Sequence, residues 1–249
     1  MTSFWSMVNK IVAEADVLLL VLDARMVIET RNEEIERKIL ATKKPMIYVI
    51  TKCDLVEKNK LDKHGLKPAV LISSKKYEGT RLLSDEIYKQ ANKAGIDKEM
   101  ISVGVLGYPN VGKSSLINAM KGRKSAPTSA MSGYTRGIAK IRAGGRIMMI
   151  DTPGVIPAGE KDFMKHALIG TLDFTKTQEP DLVVMRIMQK FPGLVEDHYG
   201  VKPHEDHEET IDEIALKLRT LKKGGKPDTQ RMARMILTKW QKGDIRPKQ

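Results

Sequence analysis

One octapeptide limits the folds open to this chain more than any other feature. Gly107-Tyr108-Pro109-Asn110-Val111-Gly112-Lys113-Ser114 has the spacing G-x-x-x-x-G-K-[ST]. It follows an apolar run, Ile101 to Leu106, and leads into a helical pattern from Ser115. A strand that turns through such a loop into a helix forms an anion cradle. Gly107 and Gly112 let the backbone curl, so the N–H groups of Val111, Gly112 and the first helical residues, Lys113, Ser114 and Ser115, converge on phosphate oxygens. The helix N-terminus adds partial positive charge. Lys113 is placed to reach the terminal phosphates of a nucleotide, and the Ser114 hydroxyl to ligate Mg²⁺.

The apolar runs around this loop point to its scaffold. Asp16 to Asp23, Pro45 to Thr51, Ala69 to Ser73, Ile101 to Leu106 and Arg146 to Ile150 are continuous Val/Ile/Leu/Met-rich segments rather than alternating ones. Such runs suit parallel strands covered on both faces. Helical spacing fills the gaps, at Glu33 to Thr42 and Gly79 to Ala94. The expected fold class is α/β, with a doubly wound, mostly parallel sheet. Strand signals stop near Leu172. Pro180 to Phe191, Glu209 to Leu221 and Asp228 to Gln241 read as helices, with Lys222 to Pro227 as a linker and Asp228 as an N-cap. The expected domains are 1–172, α/β, and 173–249, all-helical and basic.

Charge narrows the partners. The chain of 249 residues carries 43 Lys+Arg against 31 Asp+Glu, a formal net charge of +12. Residues 217–249 hold 11 basic and 2 acidic side chains. Such concentration favours a polyanion, most simply RNA, with Arg231, Arg234, Lys239 and Lys242 as phosphate contacts. Lys121, Arg123, Lys124, Arg136, Lys140 and Arg142 are further candidates. Trp240, Met232, Met235 and Ile236 read as core or interdomain packing residues of the last helix. His204-Glu205-Asp206-His207 reads as a solvated loop rather than a metal site. The single cysteine, Cys53, excludes an internal disulfide and a multi-cysteine zinc site. The apolar run Val17 to Leu22 is too short to cross a bilayer, and the first residues lack a secretory pattern. The expectation is a cytoplasmic, monomeric protein with no membrane partner.

Further motifs depend on the first. Asp151-Thr152-Pro153-Gly154 follows an apolar run, 37 residues beyond Ser114. The Asp151 carboxylate is placed to meet the same Mg²⁺ through water, and the Gly154 N–H to sense a γ-phosphate. Between them, Thr135 is the candidate that closes over Mg²⁺, with Thr128 as runner-up. Thr51-Lys52-Cys53-Asp54 resembles the N/T-K-x-D element of G proteins, in which the aspartate accepts from guanine N1 and N2 and the lysine lies over the base. Ser73-Ser74-Lys75 resembles the S-A-K element, whose backbone N–H meets guanine O6. The cofactors implied are GTP or GDP and Mg²⁺.

The motif order is unusual. The base elements precede the phosphate loop, which precedes Asp151 to Gly154, so the chain resembles a circularly permuted P-loop G domain. This order resembles the YlqF/RbgA class of circularly permuted GTPases. Val21-Leu22-Asp23-Ala24-Arg25 and Gly224-Gly225-Lys226-Pro227-Asp228 match segments of that class. The resemblance implies a GTPase switch in large ribosomal subunit assembly, with rRNA and the large subunit or its precursor as partners. The rival reading is a GTP-controlled RNA-binding module acting on another RNA, such as tRNA, with hydrolysis incidental. Val155 and Ile156 stand where a Ras-like enzyme orients water with Gln. Neither can polarise water, so slow intrinsic turnover and stimulation by a partner are expected. Asn110 matches the K⁺-coordinating position of potassium-activated G proteins. A K⁺ ion there would neutralise developing charge. No histidine precedes His64, whereas members of the class often carry one near the N-terminus.

Overall fold

The computed structural model describes residues 4–122, 139–151 and 179–246, together with His166 and Ile169. Thr128, Thr135, Arg123, Lys124, Arg136, Gly154, Val155 and Ile156 lie outside the described residues. Two compact units divide the chain, Met1–Lys161 and Asp162–Gln249.

In the first unit the elements run α1 (Phe4–Glu14), β1 (Val17–Asp23), α2 (Glu33–Ala41), β2 (Met46–Thr51), β3 (Ala69–Leu71), α3 (Thr80–Lys93), β4 (Ile101–Leu106), α4 (Lys113–Lys121), β5 (Ala139–Arg142) and β6 (Ile147–Asp151). The sheet order is β3-β2-β1-β4-β6-β5. Among the described strands only β5 is antiparallel, paired with β6 at one edge. β1 and β4 lie side by side in the middle and parallel, and the chain winds outward from them in opposite directions. That is a topological switch point, where doubly wound sheets bind ligands beyond the strand carboxyl ends.

β1 is buried along its whole length, which explains its unbroken Val/Leu run. One sheet face presents Leu18, Leu20, Leu22, Tyr48 and Ile50 to Val8, Ile11 and Val12 of α1 and Ile35 and Ile39 of α2. Asn32 starts α2 by accepting from the Glu34 and Ile35 N–H groups. Burial of Tyr48 is offset at its polar end, where its hydroxyl donates to Glu36 Oε1 at 2.6 Å. Glu36 also accepts two bonds from the Arg31 guanidinium, at 2.7 and 2.8 Å.

These bonds hold the Glu36 carboxyl below its ordinary range, the Arg31 bond outweighing the opposing effect of burial. A depressed carboxyl contributes stability that is present above its ordinary range and lost as pH falls through the folded value. Glu36→Gln is therefore expected to cost about 1 to 2 kcal/mol near neutral pH. The gap from the unsubstituted protein should close in acid, as read by denaturant unfolding across pH. A gap that persists below the carboxyl range would rule out this ion pair as its source.

The second unit contains α5 (Pro180–Lys190), α6 (Leu194–Tyr199), α7 (His207–Lys217) and α8 (Thr229–Lys242). α8 buries Met232, Ala233, Ile236, Leu237 and Trp240, and Trp240 packs on Phe191 with ring centroids 5.2 Å apart. Met235 is not a packing residue as the sequence reading had it. It is 41% exposed, because the buried residues 232, 233, 236, 237 and 240 trace a helical stripe that leaves 235 on the other side. Asp228 caps α8, its side chain accepting from Arg231 N–H at 3.1 Å. Asp206 caps α7 in the same way, so part of the acidic His204–His207 stretch is a helix start. His204 Nε2 lies 2.7 Å from Glu213. The linker at 222–227 is a closed turn. Leu221 bridges Pro227, and Lys222 N–H donates to the Lys226 carbonyl at 2.9 Å. Lys222, Lys223 and Lys226 are exposed on it. Among the described residues, no helix is long and apolar enough to cross a membrane.

Candidate nucleotide site

The carboxyl ends of β1, β2, β3, β4 and β6 lie on one edge of the sheet, because these five strands are parallel. Every base, phosphate and metal candidate within the described residues follows or ends one of them. β4 runs into the glycine loop, and α4 begins at Lys113. Gly107 has φ +149°, and a Cβ there would sit 2.6 Å from the Val21 carbonyl oxygen of the neighbouring strand. Gly112 has φ +104° and caps α4 without a side chain, and no acid occupies the first turn of that helix. The helix thus begins with its N–H groups facing the loop and no competing carboxylate.

Lys113 is buried, 5% exposed, and its ammonium donates to the Gly107 and Tyr108 carbonyls at 2.9 and 2.6 Å. It folds back over the loop. Burial pushes its pKa down to about 7, only partly offset by Asp151. A desolvated cation on neutral carbonyls is a strong partner for incoming phosphate charge. Ser114, in the first turn of α4, places its Oγ 3.5 Å from Asp151 Oδ2. A hydroxyl and a carboxylate at that separation form a hard-oxygen pair suited to Mg²⁺. Ser115 is exposed on the next helical position and Val111 is buried. Asn110 is exposed and adopts φ +62°.

The base loop follows β2. Asp54 Oδ1 accepts from the Ser73 hydroxyl at 2.7 Å, which joins the two base elements and leaves Oδ2 as the other acceptor. Cys53 N–H donates to the Ile72 carbonyl at 3.2 Å, fixing the same turn. Ser73 is buried, and the Ser74 Oγ is buried with no hydrogen-bond partner among the described residues. The Cys53 thiol is pushed up to about 11 by burial and by the nearby Asp54 and Glu78 carboxylates, which leaves it unreactive at neutral pH.

Two bonds join base loop to phosphate loop. The Thr51 hydroxyl faces the Leu22 and Val111 carbonyls, and Gly112 leaves room for it, since a Cβ there would lie 3.3 Å from the Thr51 Oγ1. Lys52 donates from its ammonium to the Asn110 carbonyl at 2.7 Å. The structure therefore gives Thr51 a stapling position between loops. Sequence reasoning missed one cluster here. The Asp23 carboxylate pairs with both Arg25 and Lys52, each at 2.8 Å. Burial favours the neutral acid, but Arg25 and Lys52 outweigh it and hold Asp23 well below the ordinary range. The segment Val21 to Arg25 was visible as a match, but no spacing in the sequence connects Asp23 with Lys52.

A mostly parallel sheet with the phosphate loop, the Asp151 carboxylate and the Thr51 to Asp54 turn on one edge defines a P-loop G domain in permuted order. A family model described as "50S ribosome-binding GTPase" matches residues 102–235. The chain belongs to that family. An uncharacterized GTP-binding protein of Methanocaldococcus jannaschii is 38% identical over 245 residues, covering 96% of this chain and 65% of its own length. Nucleolar GTP-binding protein 2 of Neurospora crassa is 33% identical over 253 residues, covering 97% of this chain and 40% of its own length. The chain thus spans less than two thirds of either relative. The GNP-bound YlqF structure from T. maritima shares the fold, with TM-score 0.66 at 20% identity over 96% of this chain and 93% of that one.

Proposed function

We propose that this protein binds and hydrolyses GTP as a switch in assembly of the large ribosomal subunit, contacting rRNA or a pre-ribosomal particle. The observation that carries the reading is the joined site: Asp54 and Ser73 form one base element, stapled to the phosphate loop through Thr51 and Lys52. Family membership and the nucleolar name of one relative support the ribosomal part.

In this reading Asp54 selects guanine by accepting from N1–H and the N2 amine, a donor pair that adenine lacks. Lys52 covers the base, and Ser73 and Ser74 close its O6 edge. Val111, Gly112, Lys113, Ser114 and Ser115 hold the phosphates. Ser114, Asp151 and Thr135 hold Mg²⁺, which when bound offsets charge on the phosphate oxygens. Gly154 reads the γ-phosphate. Lys113 exchanges its carbonyl partners for phosphate oxygens, so its charge is focused where negative charge accumulates. Asn110 serves as a K⁺ ligand. Val155 and Ile156 leave water unoriented, so turnover is slow until a partner supplies the missing group.

The domains in this reading are a G domain over 1–172 and a basic helical domain over 173–249 that contacts RNA. Arg231 and Lys242 are exposed on α8, and Lys222, Lys223 and Lys226 extend the basic face along the preceding turn. Lys239 stands 5.2 Å over the Tyr199 ring, and Arg234 is half-buried. Phosphate contacts of this kind weaken steeply with salt.

Co-sedimentation with separated ribosomal subunits in K⁺ buffer tests the reading. Binding to the large subunit with a non-hydrolysable GTP analogue, and its loss with GDP or without nucleotide, is the expected result. Absence of binding to either subunit in every state would sink the ribosomal assignment and direct attention to other RNAs.

A further inference from the structure

We propose that Asp23 is a positioning residue of the guanine pocket, holding Lys52 where it covers the base and joins it to the phosphate loop. The proposal rests on the reading of the site as a guanine-nucleotide site.

Asp23 ends β1, and the parallel register sets it beside Thr51, the last residue of β2. Lys52 is thus the first residue beyond the sheet on the neighbouring strand. Its ammonium lies 2.8 Å from Asp23 Oδ2 and 2.7 Å from the Asn110 carbonyl oxygen. Lysine has a long, freely rotating stem, and an ammonium does not orient itself. Here two acceptors from different elements fix it, one on β1 and one on the phosphate loop. Lys52 also adopts φ +58°, a left-handed backbone unusual for a residue with a Cβ. Asp54, the base-reading carboxylate, is two residues further on. Whatever fixes Lys52 therefore also fixes the turn that aims Asp54.

Asp23 is itself held. Arg25 grips it through Nη2 at 2.8 Å and Nε at 3.0 Å, and the Arg25 backbone N–H adds a third bond at 3.0 Å. The Asp23 N–H donates to the Thr30 hydroxyl at 3.0 Å. The carboxylate side chain is 3% exposed, so water does not screen its pull on Lys52 as it does at a surface pair. The cluster counts two cations against one anion.

The physics separates this role from simple scaffolding. Asp23→Asn keeps the shape and one acceptor but removes the charge that holds Lys52. The two cations then repel, Lys52 swings free, and the local charge beside the phosphate loop becomes more positive. Base recognition should weaken while attraction for phosphate does not.

The test measures GDP and inorganic pyrophosphate affinity by titration calorimetry on the full chain. Asp23→Asn is expected to weaken GDP about tenfold, the size of one charge-assisted hydrogen bond. Pyrophosphate affinity should hold or rise. Lys52→Met, which leaves the Asp23–Arg25 pair intact, should weaken GDP by a similar factor, and the loss of one cation should lower pyrophosphate affinity by less than that. In that background Asp23→Asn should weaken GDP by less than about twofold more, since coupled residues are non-additive. Should Asp23→Asn fail to fold, Asp23→Glu, which keeps the charge and moves the carboxylate by one methylene, decides the question by the same two affinities. Unchanged GDP affinity, or parallel loss of GDP and pyrophosphate in both variants, would overturn the proposal and leave the guanine reading standing. Equal affinity of the unsubstituted protein for GDP and pyrophosphate would overturn the guanine reading and this proposal with it.

Discussion

Lys113→Met is expected to weaken GTP and GDP binding by at least about 100-fold, the loss of roughly 3 kcal/mol of charge-assisted bonds to phosphate. The structure supplies the reason. The ammonium is buried and rests on two neutral carbonyls of its own loop, at 2.9 and 2.6 Å. Such partners take up two of its donors but do not balance its charge. Burial pushes its pKa down to about 7 for that reason.

The same feature separates lost binding from lost fold. Methionine has similar length and no charge to desolvate, so the variant should be at least as stable as the parent without nucleotide. The sign of the pH dependence follows from linkage. Between about pH 7 and the ordinary lysine range, an unfolded Lys113 binds a proton that the folded residue does not, so stability rises with pH there. Lys113→Met should flatten that rise. Calorimetry for affinity and denaturant unfolding at several pH values check both halves. A variant that binds GTP normally, or one that unfolds at lower denaturant at neutral pH, contradicts the account.

The second large effect is at the base. Asp54→Asn should weaken GDP by about two orders of magnitude, through the loss of two bonds from guanine donors to a charged acceptor. It should at the same time create affinity for xanthosine diphosphate. Ser73 donates to Asp54 Oδ1 at 2.7 Å, and an asparagine meets that bond by keeping its carbonyl oxygen there. Its amide nitrogen then faces the base, where xanthine offers a carbonyl at C2 in place of the guanine amine. Competition between GDP and xanthosine diphosphate on both proteins measures the exchange. Retained guanine preference in the variant would remove Asp54 from the base contact. If guanine affinity falls without any gain for xanthine, Ser73 does not orient the side chain as described.

Much of the fold was legible from local pattern. Continuous apolar runs marked β1, β2, β3, β4 and β6 because parallel strands are covered on both faces and need no alternation. Three elements went unread. α1 carries Val8, Ile11, Val12 and, just beyond its end, Ala15 at helical spacing, a signal that was present but overlooked beside the more prominent β1. β5 is a four-residue edge strand with Lys140 and Arg142 exposed, so its alternation is too short to stand out. α6 is six residues bounded by Gly193 and Gly200, less than two turns and without a readable period. α7 ends at Lys217, short of the predicted Leu221, with Arg219 at φ +54°.

The residues of this chain by themselves determined the phosphate loop, the candidate base elements, the candidate metal-side carboxylate and the permuted order in which they come. Each of those is a short run whose chemistry depends on neighbours within a few positions, and such neighbours are written in sequence. Only the tertiary structure decided which charges meet. Asp23 and Lys52 are far apart in the chain and become neighbours because β1 and β2 pair in parallel register, ending at Asp23 and Thr51. Lys113 has a depressed pKa only because sheet and loop close over it, and Met235 is exposed only because one stripe of α8 faces its neighbours. Covalent order sets what a residue is able to do, whereas desolvation and pairing depend on what packing brings within a few ångströms.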